Sequence, residues 1–307
     1  MNKLQALLQV ASLLPYILLV TAGLIWGVTF SLAKIAAEAS AHPIGLTLWQ
    51  CAIGLAILGA FCLSRRIPLD LSGRGLLRAM FVALTGTILP TTFYFYSAAK
   101  LPVAILSITV AMVPILTYGA SLVIGSDHYQ PKRVLGLGLG LVGIVLLSQP
   151  EALPDRSMLP WLVLAILCAV CYSVENLFVD SWIPPATDMA ALLATSMLIS
   201  TVLLLPLVFL MDSFVPLQFP FGALEFAVAG MGVVTSFAYV VFLYLIQTSG
   251  AVFASMMAYA VTFSGVAWGM IIFGERPSGM VWLVLVLMVL GMGLVKPLQK
   301  EKRTASI

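Results

Sequence analysis

Residues 102–124 read PVAILSITVAMVPILTYGASLVI, and residues 251–273 read AVFASMMAYAVTFSGVAWGMIIF. Neither stretch holds a charged residue. Each is long enough for a helix that crosses a bilayer core of about 30 Å, which takes roughly 20 residues. Each is followed shortly by an acid, Asp127 in the first case and Glu275 in the second. Shifting the chain against itself by 148 positions lays Asp127 on Glu275, Ser107 on Ser255, Tyr96 on Tyr244 and Gly143 on Gly291. Two apolar crossings with a shared ending thus point to a membrane protein built from a repeated unit.

The rest of the chain agrees. Hydrophobic residues make up 62% of it and charged residues only 9%, against about 45–50% and about 25% in soluble domains. A soluble enzyme is excluded, and so is a β-barrel, whose strands alternate polar and apolar over about ten residues. Apolar runs bounded by charge, Pro or Gly predict spans over Pro15 to Ala36, Pro43 to Ser64, Gly75 to Ala98, Pro102 to Ile124 and Val134 to Ser148. A second set covers Leu159 to Val179, Met189 to Met211, Ala223 to Gln247, Ala251 to Phe273 and Gly279 to Val295. The expected fold is all-α and integral to the membrane, with ten transmembrane helices. With Lys3 ahead of a full-length first span and no small-residue cleavage site, that span is expected to be retained.

An even number of spans puts both termini on one side. That side carries Lys3, Arg65, Arg66, Arg74, Arg78, Lys132, Arg133, Lys296, Lys300, Lys302 and Arg303, against Lys100, Arg156 and Arg276 opposite. The excess predicts cytoplasmic termini in a cell inner membrane. A repeat unit of five helices, an odd number, must insert its second copy upside down. The expected organisation is therefore two inverted repeats, residues 1–150 and 151–307, an arrangement used by many secondary transporters with cargo bound near the midplane.

Further residues carry a family resemblance: Trp26-Gly27 with Phe30 and Lys34, the run Tyr96-Ser97-Ala98-Ala99, Pro114 ahead of an acid, and Phe273-Gly274-Glu275-Arg276. In these the chain resembles the EamA-type members of the drug/metabolite transporter superfamily. It departs from their pattern at Asp127, where Glu is usual, at Thr262, which aligns with Pro114, and at Gln50, where Arg is common. The resemblance implies ten helices, a cavity between two halves, and transport, often export, of small metabolites.

Nothing in the inventory suggests catalysis. His42 and His128 fall in loops at opposite faces, no cluster has metal-ligand spacing, and no Gly-rich loop opens a helix for phosphate. No enzyme activity, cofactor, metal or nucleic-acid partner is expected. Cys51, Cys62, Cys168 and Cys171 lie within spans, where thiols serve as small packing residues.

An ionisable residue inside a span is costly and points to function. Glu175 is one; it shares a helix face with Tyr172 and Asn176, and either couples transport to protons or sits hydrated near a helix end. Lys34 is the other, a charge for gating or a stem that snorkels to the outer interface. A Lys34–Glu175 ion pair is not expected, because the two fall in opposite halves of the membrane; Asp180 is the rough inverted counterpart of Lys34.

The expected cargo site is an aromatic cavity formed by Trp26, Phe30, Thr91, Tyr94 and Ser107 from the first half, joined by Tyr172, Glu175, Asn176, Tyr239, Ser255 and Tyr259 from the second. Thr87, Tyr118, Thr235 and Thr262 share those helix faces. Pro90 and Pro114 interrupt helical hydrogen bonding and suit a moving gate. Gly136, Gly140 and Gly143 form a small-residue face for close packing within one monomer, or between the protomers of a weak homodimer.

With no buried arginine, phosphorylated cargo is disfavoured. An aromatic cavity with one carboxylate suits an amino acid or related zwitterion, or an amphipathic cation. The function expected from these features is export of a small amphipathic metabolite by a secondary transporter. A proton-coupled exporter of organic cations, a passive channel and a non-transporting scaffold are the alternatives.

Overall fold

A computed structural model describes residues 3–39, 41–147, 156–277 and 279–294. Among these the chain is helical, without a strand. The elements are α1 Lys3–Trp26, α2 Val28–Glu38, α3 Pro43–Arg65, α4 Gly73–Val82, a π-helical turn Ala83–Ile88, α5 Leu89–Ala98, α6 Val103–Val110, α7 Val113–Val123 and α8 Pro131–Leu147. After a 3-10 turn at Arg156–Met158 come α9 Leu159–Trp182, α10 Met189–Leu210, α11 Ala223–Ser249, α12 Ala251–Ser255, α13 Met257–Phe273 and α14 Gly279–Leu294. Eight segments are long and apolar enough to cross a membrane, the first being Leu13–Glu38 and the last Ala251–Phe273. Helices α8 and α14 end where the described residues end, so Ser148 and Val295, with the basic tail at Lys296, Lys300, Lys302 and Arg303, lie outside them.

Local sequence sets the helix ends. Pro43 occupies the first turn of α3, where its missing N–H costs nothing, and His42 Nδ1 accepts the Ile44 amide at 3.3 Å. The Ser72 hydroxyl caps α4 through the Gly75 amide at 3.1 Å, and Asp188 caps α10 through Ala191 at 3.0 Å. At the end of α13, Gly274 takes φ +63°, a left-handed geometry that suits glycine and turns the chain toward Glu275.

Four of the expected spans are not single α-helices, and these interruptions matter most for the site. The first breaks at Gly27, which separates α1 from α2. Here α13 crosses so closely that a Cβ would lie 1.9 Å from Ser264 Oγ and 2.6 Å from the Val261 carbonyl. The third contains the π-helical turn, in which the Leu89 amide reaches back to the Leu84 carbonyl just before Pro90. The fourth breaks at Ala111–Met112, whose amides form tight turns to Ile108 and Thr109 at 3.0 and 3.2 Å, ahead of Pro114. Both prolines thus sit at the second residue of a new helix, where a missing N–H is tolerated. The ninth breaks at Met256 without any proline, Thr262 standing where the first half has Pro114.

The segment α1–α2 packs on α11 and α13, while α9 packs on α5, α6 and α7. Helix α3 lies against α10 and α11, α10 reaches α4 and the π-helical turn, and α6 meets α13. Phe95, Leu106, Leu193, Leu243 and Phe253 fill the interior, whereas Leu63, Val123, Leu210 and Ile271 face outward, as a lipid-facing surface requires. At the periphery α8 crosses α14 with the backbones nearly touching, a Cβ on Gly136 falling 2.6 Å from the Gly291 carbonyl. The small-residue face that includes Gly136 therefore packs within the monomer; Gly140 and Gly143 are described only as helical backbone.

Candidate functional site: an aromatic cavity backed by a carboxylate

The helix interruptions converge on one cavity of about 90 Å³, room for several water molecules at the roughly 10–15 Å³ that each requires. Trp26, Thr29 and Phe30 enter from the two sides of the Gly27 break. Gly86 and Thr87 come from the π-helical turn, Thr91 and Tyr94 from α5, and Val110 and Val113 from the two edges of the α6–α7 break. The second half of the chain adds Tyr172 on α9, Met197 on α10, and Met231, Thr235, Tyr239 and Phe242 on α11. Ser255, Met257, Ala258 and Val261 flank the α12–α13 break, and Gln50 reaches in from α3.

Two aromatic groups shape this space. Trp26 lies 5.7 Å from Tyr239 and 5.9 Å from Phe242 between ring centres, and Phe30 lies 5.4 Å from Tyr94. Such tilted contacts present both ring faces and ring edges, which apolar groups and cations can use. No Lys, Arg, His, Asp or Glu is among the lining residues.

Glu175 stands just behind the wall. Its side chain is fully buried; the Tyr239 hydroxyl donates to Oε1, and Oε2 has no hydrogen-bond partner among the described residues. The hydrated helix-end alternative is therefore excluded by its burial. Asn176 also lies outside the lining. Its Nδ2 donates to Thr117 Oγ1 at 3.2 Å, and the neighbouring Ser173 hydroxyl donates to the Val113 carbonyl at 3.2 Å, tying α9 to α7 beside the helix break.

Ser107 and Tyr259 are buried but belong to packing rather than to the cavity surface. Thr262 Oγ1 donates to the Ser107 carbonyl at 2.8 Å, joining α13 to α6, while the Ser107 hydroxyl turns back to Ala104 at 2.9 Å. The Tyr259 hydroxyl has no hydrogen-bond partner among the described residues. Of the expected cargo residues, Trp26, Phe30, Thr91, Tyr94, Tyr172, Tyr239 and Ser255 thus share one surface. Ser107, Glu175, Asn176 and Tyr259 lie behind it, and Pro90 and Pro114 lie beside the breaks whose edges line it.

With this geometry in view, the comparisons with known proteins decide the family. The model of the EamA-like transporter family matches the chain twice, over residues 13–149 and 159–296. The chain belongs to the EamA-like transporter family. It is thus a multi-pass membrane protein of a transporter family. Among solved structures, one described only as "Crystal structure of protein" superposes with a TM-score of 0.70 at 22% identity, covering 91% of this chain and 95% of its own. That likeness concerns the fold. No curated protein matches.

In this EamA-like chain Lys34 does not snorkel freely. Its ammonium lies 3.2 Å from Glu275 Oε1 and 4.7 Å from the centre of the Phe273 ring. Glu275 also accepts the amides of Val103 at 3.1 Å and Ala104 at 3.3 Å, capping α6. A partly buried acid facing a helix N-terminus holds the ammonium by charge and geometry, which outweighs its reach toward water. No Lys34–Glu175 pair forms.

Sequence reasoning missed Thr29 and the methionines Met197, Met231 and Met257 in the lining. A methionine on an apolar helix carries no signal separating a cavity wall from ordinary packing. Gly86 could have been suspected from Pro90 four residues on, since prolines often accompany irregular backbone where a helix borders a cavity. Gln50 was visible only as a departure from the family pattern.

Proposed function

We propose that this EamA-like protein is a secondary transporter of the inner membrane that exports a small amphipathic metabolite, an amino acid or related zwitterion or amine. It works by alternating access between inverted five-helix repeats, residues 1–150 and 151–307, with both termini cytoplasmic and the protein a monomer or weak homodimer. The observation that carries this reading is the composition of the cavity wall: both halves supply it, and from corresponding helices. The helix packing supports the two-repeat arrangement, and an odd number of spans per repeat makes the second copy inverted. Exchanging each helical segment for its counterpart in the other half turns the contacts of α1–α2 with α11 and α13 into those of α9 with α5 and α6–α7. Contacts of α3 with α10, α6 with α13 and α8 with α14 map onto themselves.

Trp26, Phe30, Thr91, Tyr94, Tyr172, Tyr239 and Ser255 contact the cargo in this scheme, and Glu175 exchanges the coupling proton. Flux in proteoliposomes holding only the purified protein tests the proposal, with labelled amino acids and amphipathic amines and an imposed pH gradient. Saturable flux that follows the gradient is expected, and Glu175→Gln should remove the gradient response while leaving the protein folded. Conduction without saturation would instead indicate a channel, and no movement of any compound a scaffold.

A second reading, a proton-coupled exporter of organic cations, draws on one observation. Among the described residues no cationic side chain lines the cavity, so a carboxylate on the cargo would meet hydroxyl and amide groups, whereas an ammonium would meet aromatic faces.

A further inference from the structure

Glu175 does not line the cavity, yet two residues that do line it lie directly against its carboxylate. One is Tyr239, whose hydroxyl donates to Oε1. The other is Gly86 in the π-helical turn, where a Cβ would fall 2.2 Å from Glu175 Oε1 and 2.0 Å from the Tyr239 oxygen. Only a residue without a side chain leaves that bond intact. The next residue, Thr87, sets its hydroxyl beside the same phenol, and among the described residues that hydroxyl has no partner at hydrogen-bond distance. The Tyr239 hydroxyl therefore has one acceptor in use and a second beside it, and its ring rests against Trp26 on the cavity wall.

We propose that Tyr239 is the positioning residue through which the charge state of Glu175 reaches the cavity. Its hydroxyl donates to the Glu175 carboxylate and turns to Thr87 when that carboxyl takes a proton, shifting the ring against Trp26. The inference rests on the reading of Glu175 as the proton-exchanging group.

The proton is delivered by hydronium, which leaves as water, and it lands on Oε2, the carboxylate oxygen that no donor occupies among the described residues. Tyr239 keeps its own proton throughout and only changes acceptor, and loss of the Glu175 proton to water reverses the step. A charged acceptor outbids a neutral hydroxyl for the same donor, and a neutral carboxyl loses most of that advantage. Hence a single proton decides between two nearby partners. The titratable groups facing Glu175 are Tyr239 from α11, and Cys171 and Tyr172 from α9 itself; Tyr94 of α5 faces Tyr172. The π-helical turn contributes Gly86 and Thr87, neither of which ionises.

Infrared difference spectroscopy of the purified protein in detergent, titrated with acid and no cargo, tests the inference. A carboxyl band that disappears in Glu175→Gln should rise together with a shift of a tyrosine C–O mode, and that shift should disappear in Tyr239→Phe. Thr87→Val should leave the carboxyl band in place and alter the tyrosine mode on the acid side only. Gly86→Ala, with folding checked by gel filtration, should drive the two side chains apart and lose the tyrosine shift while the carboxyl still titrates. A Glu175 band that titrates with a silent tyrosine mode overturns the inference and leaves Glu175 as the coupling group. The absence of any Glu175 band over the pH range in which the protein stays folded overturns both. Because no transported compound is needed, absence of flux in proteoliposomes would count against the transport reading separately.

Discussion

Asp127 and Glu275 are 148 positions apart, and each follows an apolar helix, yet their contacts differ in reach. Glu275 reaches two distant parts of the chain: Lys34 at the end of α2, and the adjacent Val103 and Ala104 amides at the start of α6. Asp127 stays local, accepting the amide of His128 and pairing with Arg133 six residues on, in the first turn of α8. Where the second-half acid meets Lys34, the residue 148 positions after that lysine is Trp182, which carries no charge for Asp127 to pair with. The first half therefore draws its cation from its own next helix. A repeat can keep an acid in place while changing what the acid holds together.

Three substitutions would break or sharpen that contrast. Asp127→Asn should be the most damaging, because Asp127 and Arg133 are 7% and 2% exposed. Removing the carboxylate takes from the buried Arg133 its short charge-paired partner, a loss of up to about 3–5 kcal/mol, and thermal unfolding in detergent micelles should show a large fall in midpoint. A midpoint within a degree or two of the parent would mean that the pair is not buried as described. Glu275→Gln should be intermediate. It keeps one oxygen for the α6 amides but gives up the charge that strengthens both contacts, a loss of about 1–2 kcal/mol read in the same assay. Lys34→Met should be the mildest, since it removes a partly exposed pair that contributes only about 0.5–1 kcal/mol and leaves the Glu275 bonds to the α6 amides in place. If Lys34→Met proved as harmful as Glu275→Gln, the acid's main work would be the ion pair and not the helix cap. Double-mutant cycles on Lys34–Glu275 and Asp127–Arg133 should give the larger coupling for the second pair.

Eight of the ten expected crossings were legible from sequence because lipid leaves a helix few alternatives, and an apolar run of sufficient length declares itself. Pro90 and Pro114 announced two of the interruptions. Gly27 and Met256 did not, since each break depends on what crosses the helix or on backbone geometry that no residue type enforces. The site was legible in part for a similar reason. Spacing of three or four found Trp26 with Phe30, Thr91 with Tyr94, and Tyr239 near Thr235. It could not tell that Ser107 turns toward α13 while Val110, one helical turn on, faces the cavity. The role of Glu275 was out of reach, because its amide partners lie more than 170 residues earlier in the chain.

The π-helical turn also settles which side of its segment meets the membrane lipid. Leu77 and Leu84 are both exposed, at 71% and 39%, and seven residues apart they fall on nearly the same side of a regular helix. Leu89, 41% exposed, comes five residues after Leu84, a step that in a regular α-helix would swing it by about 140° toward the interior. The bond from the Leu89 amide to the Leu84 carbonyl closes a wider loop of backbone and returns the two leucines to one side. Deleting a single residue between 83 and 88 would therefore rotate everything before the turn against everything after it. Thr91 and Tyr94 could then stay on the cavity only by turning Leu77 and Leu84 away from the lipid.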